Sequence, residues 1–286
     1  MTFADHVYRS ADGRLDLHAR IYRGSGPALL MMHGLTRNSA DFEPLIAALD
    51  GKYQVIAVDQ RGRGRSDPDP EPENYNPGVY AADMFRLLDE LTVEKAVLIG
   101  TSMGGLVAMT MAAMAPHRVS GLILNDIGPE VERSGLDRIQ AYVGALEPFA
   151  DWTAAAAHCR QINRDAFPDV DEGFWMTFAR QTCTQLPDGR VRPAYDPAIS
   201  EGFSDDSPNM VPPDLWPMWD LLAAIPLLSI RGAISDILSA RTVAEMRRRH
   251  PHHFTAVEIP NRGHAPMLDE PEALAAIDGF LRSLDA

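Results

Sequence analysis

Residues 96–116, AVLIGTSMGGLVAMTMAAMAP, constrain this chain more than any other stretch. Ala96–Ile99 is a short apolar run and reads as a buried strand. Gly100-Thr101-Ser102-Met103-Gly104 reads as a sharp turn, and the small apolar residues from Met103 to Ala115 read as a helix ended by Pro116. A serine thus sits at a strand-to-helix turn whose strained backbone projects its hydroxyl above the sheet, the pattern of a nucleophile elbow. Gly100 and Gly104 are required where strand and helix close on each other, and Gly105 adds clearance on the helix side. Two glycines around a serine also arise by chance, so the rest of the chain has to supply what a nucleophile needs.

The neighbouring segments alternate. An Asp12-Gly13 turn between Val7–Ser10 and Leu15–Tyr22 predicts a β-hairpin. Ala28–Met32, Tyr53–Val58 and Val119–Leu124 read as buried strands, and Tyr80–Leu91 as an amphipathic helix. Strands apolar along their whole length and separated by helices imply a mostly parallel sheet covered on both faces, an α/β fold. The alternation stops after residue 129. Helical patterns at Ser134–Leu146, Thr153–Asn163 and Glu172–Gln181 carry scattered aromatics, and Leu186 to Pro213 looks irregular. Leu227–Arg231, a helix at Ala240–Arg249, a strand at Phe254–Ile259 and a helix at Pro271–Leu284 resume the pattern. We therefore expect a core of residues 1–129 and 221–286 with an inserted helical cap, 130–220.

A serine hydroxyl needs a histidine to take its proton and a carboxylate to fix the histidine's tautomer. In α/β sheets such groups come from loops at the C-terminal ends of strands. His264 follows Gly263 in such a loop, and His33 precedes Gly34 in another. His250, His252 and His253 lie at or beyond a helix end, where capping or exposed histidines are common. Two aspartates compete for the acid. Asp236 follows the strand at 227–231, and Asp126 follows the strand at 119–124. We expect Asp236 ahead of Asp126, and the order Ser102, Asp236, His264 then matches nucleophile, acid and histidine. Asp59 also ends a strand, but Arg61, Arg63 and Arg65 surround it and suggest a structural salt bridge.

With these residues in place, the chain resembles the α/β-hydrolase superfamily over almost its whole length. His33-Gly34 is similar to that family's oxyanion loop, and Asp59–Ser66 to the loop after its fourth strand. Gly100–Gly105 is similar to its elbow, and Ser235-Asp236 and Gly263-His264 to its acid and base. The resemblance implies an eight-stranded sheet with a cap after the sixth strand. It implies a serine hydrolase of a carboxylic ester, lactone or related acyl compound, with the backbone N–H groups of Leu35 and Met103 holding the oxyanion. Aspartate-nucleophile relatives are disfavoured by Ser102. The Arg231–Asp236 segment departs from the usual pattern, since many relatives have glycine where Arg231 stands. Two other readings stay open. One is hydrolysis of a carbon–carbon bond in a vinylogous diketone, with Arg160, Arg164 or Arg180 of the cap binding a carboxylate. The other is a hydrolase-like binding protein with little turnover.

Charge and cysteine content narrow the partners. A net charge of −14 disfavours a nucleic-acid surface. Cys159 and Cys183 are too few for a disulfide framework or a four-cysteine metal site, and free buried thiols are the simpler reading. No cofactor or metal is implied, and the expected partner is a small, partly apolar molecule. The first residues lack a signal-peptide core and no run is long enough to span a membrane, so a cytoplasmic protein is expected. The oligomeric state is not written in these patterns.

Overall fold

The structure, a computed structural model, describes residues 2–144, 146–203 and 214–284. Strands β1 (Ala4–Arg9), β2 (Asp16–Tyr22) and β3 (Gly26–Met32) open the chain, followed by α1 (Glu43–Leu49), β4 (Tyr53–Asp59), α2 (Pro77–Glu90), β5 (Ala96–Thr101), α3 (Met103–Met114) and β6 (Val119–Asn125). Next come α4 (Arg133–Gln140), α5 (Trp152–Asn163), α6 (Glu172–Thr182), a small hairpin of β7 (Cys183–Gln185) and β8 (Val191–Pro193), and α7 (Trp216–Asp220). Strand β9 (Leu227–Gly232), α8 (Ala240–Arg249), β10 (Phe254–Ile259) and α9 (Pro271–Leu284) complete it.

Eight strands form one sheet in the order β1-β2-β4-β3-β5-β6-β9-β10. β1 and β2 pair antiparallel and β2 runs antiparallel to β4, while every later pairing is parallel. Side-chain alternation divides the core. Leu30, Met32, Ile56, Val58 and Leu98 pack on one face with α2 and α3. Leu29, Met31, Val55, Ala57, Val97 and Ile99 pack on the other with α1 and α9. Strands apolar at consecutive positions are what a sheet covered on both faces requires. The expected α/β-hydrolase architecture is observed, with extra helices between β6 and β9 forming a cap region.

That region has its own small core. Phe167, Trp175 and Phe178 pack with Cys159, Val191 and Met267, and the rings of Phe174 and Trp175 meet edge to face at 5.0 Å. Asp151 and Asp171 cap α5 and α6 by accepting from the N–H groups of Ala154 and Phe174. The three-residue strands β7 and β8 carry no alternation that sequence reading could detect. Part of the stretch expected to be irregular, residues 204–213, lies outside the described residues. The cap is tied down by backbone bonds, Gly64 N–H to Ala194 O (2.8 Å) and Gly263 N–H to Ala166 O (2.7 Å), and by Asn38 Nδ2 donating to Gln181 O at 2.7 Å.

Candidate active site

The site begins at the β5–α3 turn. Ser102 has φ 52° and ψ −117°, a strained conformation for a residue with a side chain. A Cβ added at Gly104 would lie 2.0 Å from the Met32 carbonyl oxygen, and one at Gly100 would lie 2.3 Å from that of Gly104. Only glycine lets β5, β3 and α3 approach this closely. Asn125 O receives the Ser102 N–H at 3.0 Å, and the Ser102 carbonyl accepts from Gly105 N–H at 2.8 Å. The strained turn is therefore held from both sides.

The loop after β10 brings His264 over this serine. Its Nε2 lies 2.7 Å from Ser102 Oγ, and its Nδ1 lies 2.8 Å from Asp126 Oδ2. A carboxylate only accepts, so Nδ1 carries the imidazole proton and Nε2 faces the serine as an acceptor. Asn125 Nδ2 donates to Pro266 O at 2.8 Å and to Thr101 Oγ1 at 3.1 Å, which ties the histidine loop to the elbow strand.

The carboxylate that meets His264 corrects the sequence expectation. Asp126, fully buried with φ 56°, receives Gly232 N–H on Oδ1 at 2.8 Å, and Ser235 Oγ–H and His264 Nδ1–H on Oδ2. Asp236 instead faces the cap. Both its oxygens are taken by Arg138 of α4, from Nε at 2.6 Å and Nη2 at 2.9 Å. This guanidinium holds the Asp236 carboxyl below its usual range, against the opposing effect of burial. The physical reason is reach. β6 and β9 are adjacent parallel strands, and Asp126 directly follows the end of β6, whereas Asp236 lies beyond β9 on a loop that turns toward α4. Ser235 belongs to this arrangement, as a donor to Asp126 at 2.6 Å. Arg231 is used elsewhere, giving Nε–H to Leu238 O (2.7 Å) and pairing with Glu258.

The two residues expected as oxyanion donors flank the serine. Met103 opens α3, so its N–H is one of the helix's unpaired N-terminal donors and feels the positive end of the macrodipole. Leu35 follows Gly34, whose carbonyl is pinned by His33 Nδ1–H at 2.7 Å and by Arg37 N–H at 3.2 Å. In a trans peptide this aims the Leu35 N–H the opposite way. His33 completes the clamp by accepting Gln60 N–H on Nε2 at 3.1 Å, and burial pushes its pKa down to about 4, so it works as a neutral ring. Sequence reading gives Arg63 no role at the oxyanion loop. It is buried, and it gives Nε–H to Leu35 O at 2.9 Å and Nη1–H to Tyr80 Oη at 2.6 Å, while Nη2 touches Met103 Sδ at 3.6 Å. The expected salt bridge of Asp59 with its arginine neighbours is not formed by their side chains. His18 Nδ1, at 2.8 Å, and the backbone N–H groups of Ser39 and Arg65 bind Asp59, and Arg61 turns to Asp69 and Asp83.

Two chambers meet at Ser102. The first runs under α5 and α6 and is lined by Arg37, Tyr142, Phe149, Asn163, Phe178 and His264, among others. The second runs toward α2 and is walled by Tyr80, Met103, Leu106, Ile127, Leu136 and Ile237. Cys159 and Cys183 are free thiols on the wall of the first chamber. The cap arginines singled out as carboxylate ligands do not line either chamber. Arg160 pairs with Glu172, Arg164 contacts Asp165, and Arg180 lies over the Trp152 ring. Among the described residues no cluster of His, Cys, Asp and Glu is arranged to hold a metal, and no helix is long and apolar enough to cross a membrane.

Comparison with known proteins identifies the family. The family model described as the alpha/beta hydrolase fold matches residues 27–271. The chain is 34% identical to a 3-hydroxybutyrate-oligomer hydrolase of Cupriavidus necator, covering 92% of this chain and 93% of that protein. It is 33% identical to a 2-(acetamidomethylene)succinate hydrolase of Mesorhizobium japonicum, over 97% and 96% of the two chains. The crystal structure of an α/β hydrolase from Novosphingobium aromaticivorans superposes with a TM-score of 0.92 at 42% identity, covering 99% of each chain. A match of this extent, together with the sheet order, establishes that the chain belongs to the α/β-hydrolase family and is a hydrolytic enzyme of its serine-hydrolase branch.

Proposed function

We propose that the enzyme cleaves a carboxylic ester or lactone through an acyl-enzyme on Ser102. The observation that carries this reading is the unbroken chain from Ser102 Oγ through His264 to Asp126, at 2.7 and 2.8 Å, at the junction of two chambers. His264 Nε2 takes the hydroxyl proton as Oγ attacks the carbonyl carbon. Asp126 keeps the imidazole in the receptive tautomer and stabilises the imidazolium that forms. The N–H groups of Leu35 and Met103 receive the oxyanion, with His33 holding the carbonyl of the Gly34–Leu35 peptide and Arg63 the carbonyl of Leu35 in the next. His264 then returns its proton to the leaving oxygen. Water, activated by the same ring, resolves the acyl-enzyme.

The relatives named above as hydrolases of a 3-hydroxybutyrate oligomer and of 2-(acetamidomethylene)succinate support an acyl substrate. In this reading the segment 130–220 selects the substrate, since its residues roof the first chamber. Ser102→Ala tests the proposal, with p-nitrophenyl butyrate and a short lactone as substrates. The expected loss in kcat is on the order of 10⁴-fold or more with an unchanged melting temperature. Near wild-type turnover by the variant would overturn it.

A further inference from the structure

We propose that the natural substrate carries a carboxylate on its alcohol portion, and that Arg37 binds it in the first chamber. This rests on the ester-hydrolase reading and specifies its substrate class. Arg37 follows the oxyanion loop, and its Cγ lies 3.7 Å from where a Cβ on Gly34 would stand, while Ser102 Cβ lies 3.6 Å from the same point. The Arg37 side chain therefore leaves the same loop that packs on Ser102, and both residues line the first chamber. Its guanidinium sits at the chamber wall, 4.0 Å over the ring of Phe178, another lining residue.

The chamber's charge is what distinguishes it. Of the described residues that line it, Arg37 is the one permanently charged side chain, and none is an aspartate or glutamate. Asn163, Thr36 and Thr182 add uncharged polar groups. Among the described residues, the second chamber is walled by apolar and aromatic side chains together with Ser102, none of them charged. Arg37 has structural contacts on one side of its fork: Nη2 faces Asp41 Oδ1 at 3.0 Å and Met267 Sδ at 3.2 Å. Its Nε and Nη1 donate to no acceptor among the described residues. Both bidentate edges of a guanidinium include Nη2, which is taken, so Arg37 offers a carboxylate single charge-assisted N–H bonds from Nη1 or Nε in a partly desolvated chamber.

His264 sets the orientation. The leaving oxygen must receive its proton from Nε2, and His264 lines the first chamber but not the second. The alcohol portion therefore lies in the first chamber beside Arg37, and the acyl chain lies in the apolar second chamber. An acyloxy-carboxylic acid satisfies both: an apolar acyl group, an ester carbon at Ser102, and a carboxylate a few bonds beyond the leaving oxygen.

The test compares 3-(butyryloxy)butyrate with its primary amide, a neutral compound of the same shape, by following butyrate release. p-Nitrophenyl butyrate serves as a neutral reference ester. Wild type, Arg37→Gln and Arg37→Lys are each assayed on all three. The ratio of kcat/KM for acid over amide is the readout, because changes in folding or nucleophile efficiency cancel within one variant. We expect a ratio of about tenfold or more in wild type, expressed mainly in KM, falling to about one in Arg37→Gln and partly retained in Arg37→Lys. A wild-type ratio near one, with p-nitrophenyl butyrate turned over normally, overturns the carboxylate assignment and leaves the ester-hydrolase reading standing. A ratio that persists in Arg37→Gln overturns the role of Arg37. Absence of turnover on all three compounds overturns the ester-hydrolase reading and this inference with it.

Discussion

Replacing Asp126 with asparagine keeps the volume of a fully buried side chain and changes only its hydrogen-bond chemistry. The carboxylate now accepts from three donors: Gly232 N–H, Ser235 Oγ–H and His264 Nδ1–H. An amide has one oxygen. If that oxygen stays on Gly232 N–H, the NH₂ faces His264 Nδ1 and forces the imidazole proton onto Nε2, where the ring can no longer accept from Ser102. If the amide flips, the NH₂ confronts Gly232 N–H inside the protein, at a cost of roughly 1–3 kcal/mol for the unsatisfied donor. In both cases the imidazolium formed during attack loses its counter-charge. The same substitution in a serine protease lowers kcat about 10⁴-fold by fixing the wrong tautomer, and we expect a loss on the order of 10³- to 10⁴-fold. Asp236→Asn removes an ion pair that is about a third exposed on each side, worth at most about 1 kcal/mol, and should change kcat by no more than about threefold. Both variants are assayed on p-nitrophenyl butyrate after thermal melts confirm folding. A greater loss in Asp236→Asn, or an Asp126→Asn enzyme within tenfold of wild type, would refute the reasoning.

The two aspartates also mark where sequence reading ends. Each follows a buried parallel strand, and those strands are neighbours, so position along the chain fits either. What separates them is three-dimensional. Asp126 directly follows the strand end in a left-handed conformation, where its carboxylate stays at the sheet edge. Asp236 is far enough along its loop to be captured by Arg138. The distance of each aspartate from its strand end is the signal in the sequence that separates them, since the order serine, aspartate, histidine fits both. Ser102 and His264 were legible because glycines at 100, 104 and 263 mark backbone approaches that leave few alternatives. Arg37 was not, since Thr36–Ser39 reads as an ordinary polar loop until the cap closes over it. Of the cap's aromatics, Phe178 lines the first chamber, while Trp152 and Trp175 serve the cap's own packing.

Other expectations follow from the same contacts. Gly104→Ala places a Cβ against the Met32 and His33 carbonyl oxygens and should lower both the melting temperature and kcat. Gly279→Ala, in α9 with open space around it, should stabilise the protein by up to about 1 kcal/mol; calorimetry on the pair checks both, and equal effects would contradict the account. His33 is held at about 4, below its ordinary 6.5, so the unfolded chain binds more protons between those values. That contribution to stability is present above pH 6.5 and is lost as pH falls toward 4, in total about 3 kcal/mol. Urea unfolding from pH 7 to 4 should therefore show a shallower decline for His33→Gln than for wild type; parallel profiles would count against a buried neutral ring.

The most direct test of the central claim is to trap the covalent intermediate. Wild-type enzyme is treated with a fluorophosphonate, and separately quenched in acid during turnover of p-nitrophenyl butyrate, and the modified peptides are mapped by mass spectrometry. The account predicts one adduct, on Ser102, formed far more slowly in His264→Ala and absent in Ser102→Ala. An adduct on another residue, or turnover with Ser102 unmodified under both conditions, would contradict it.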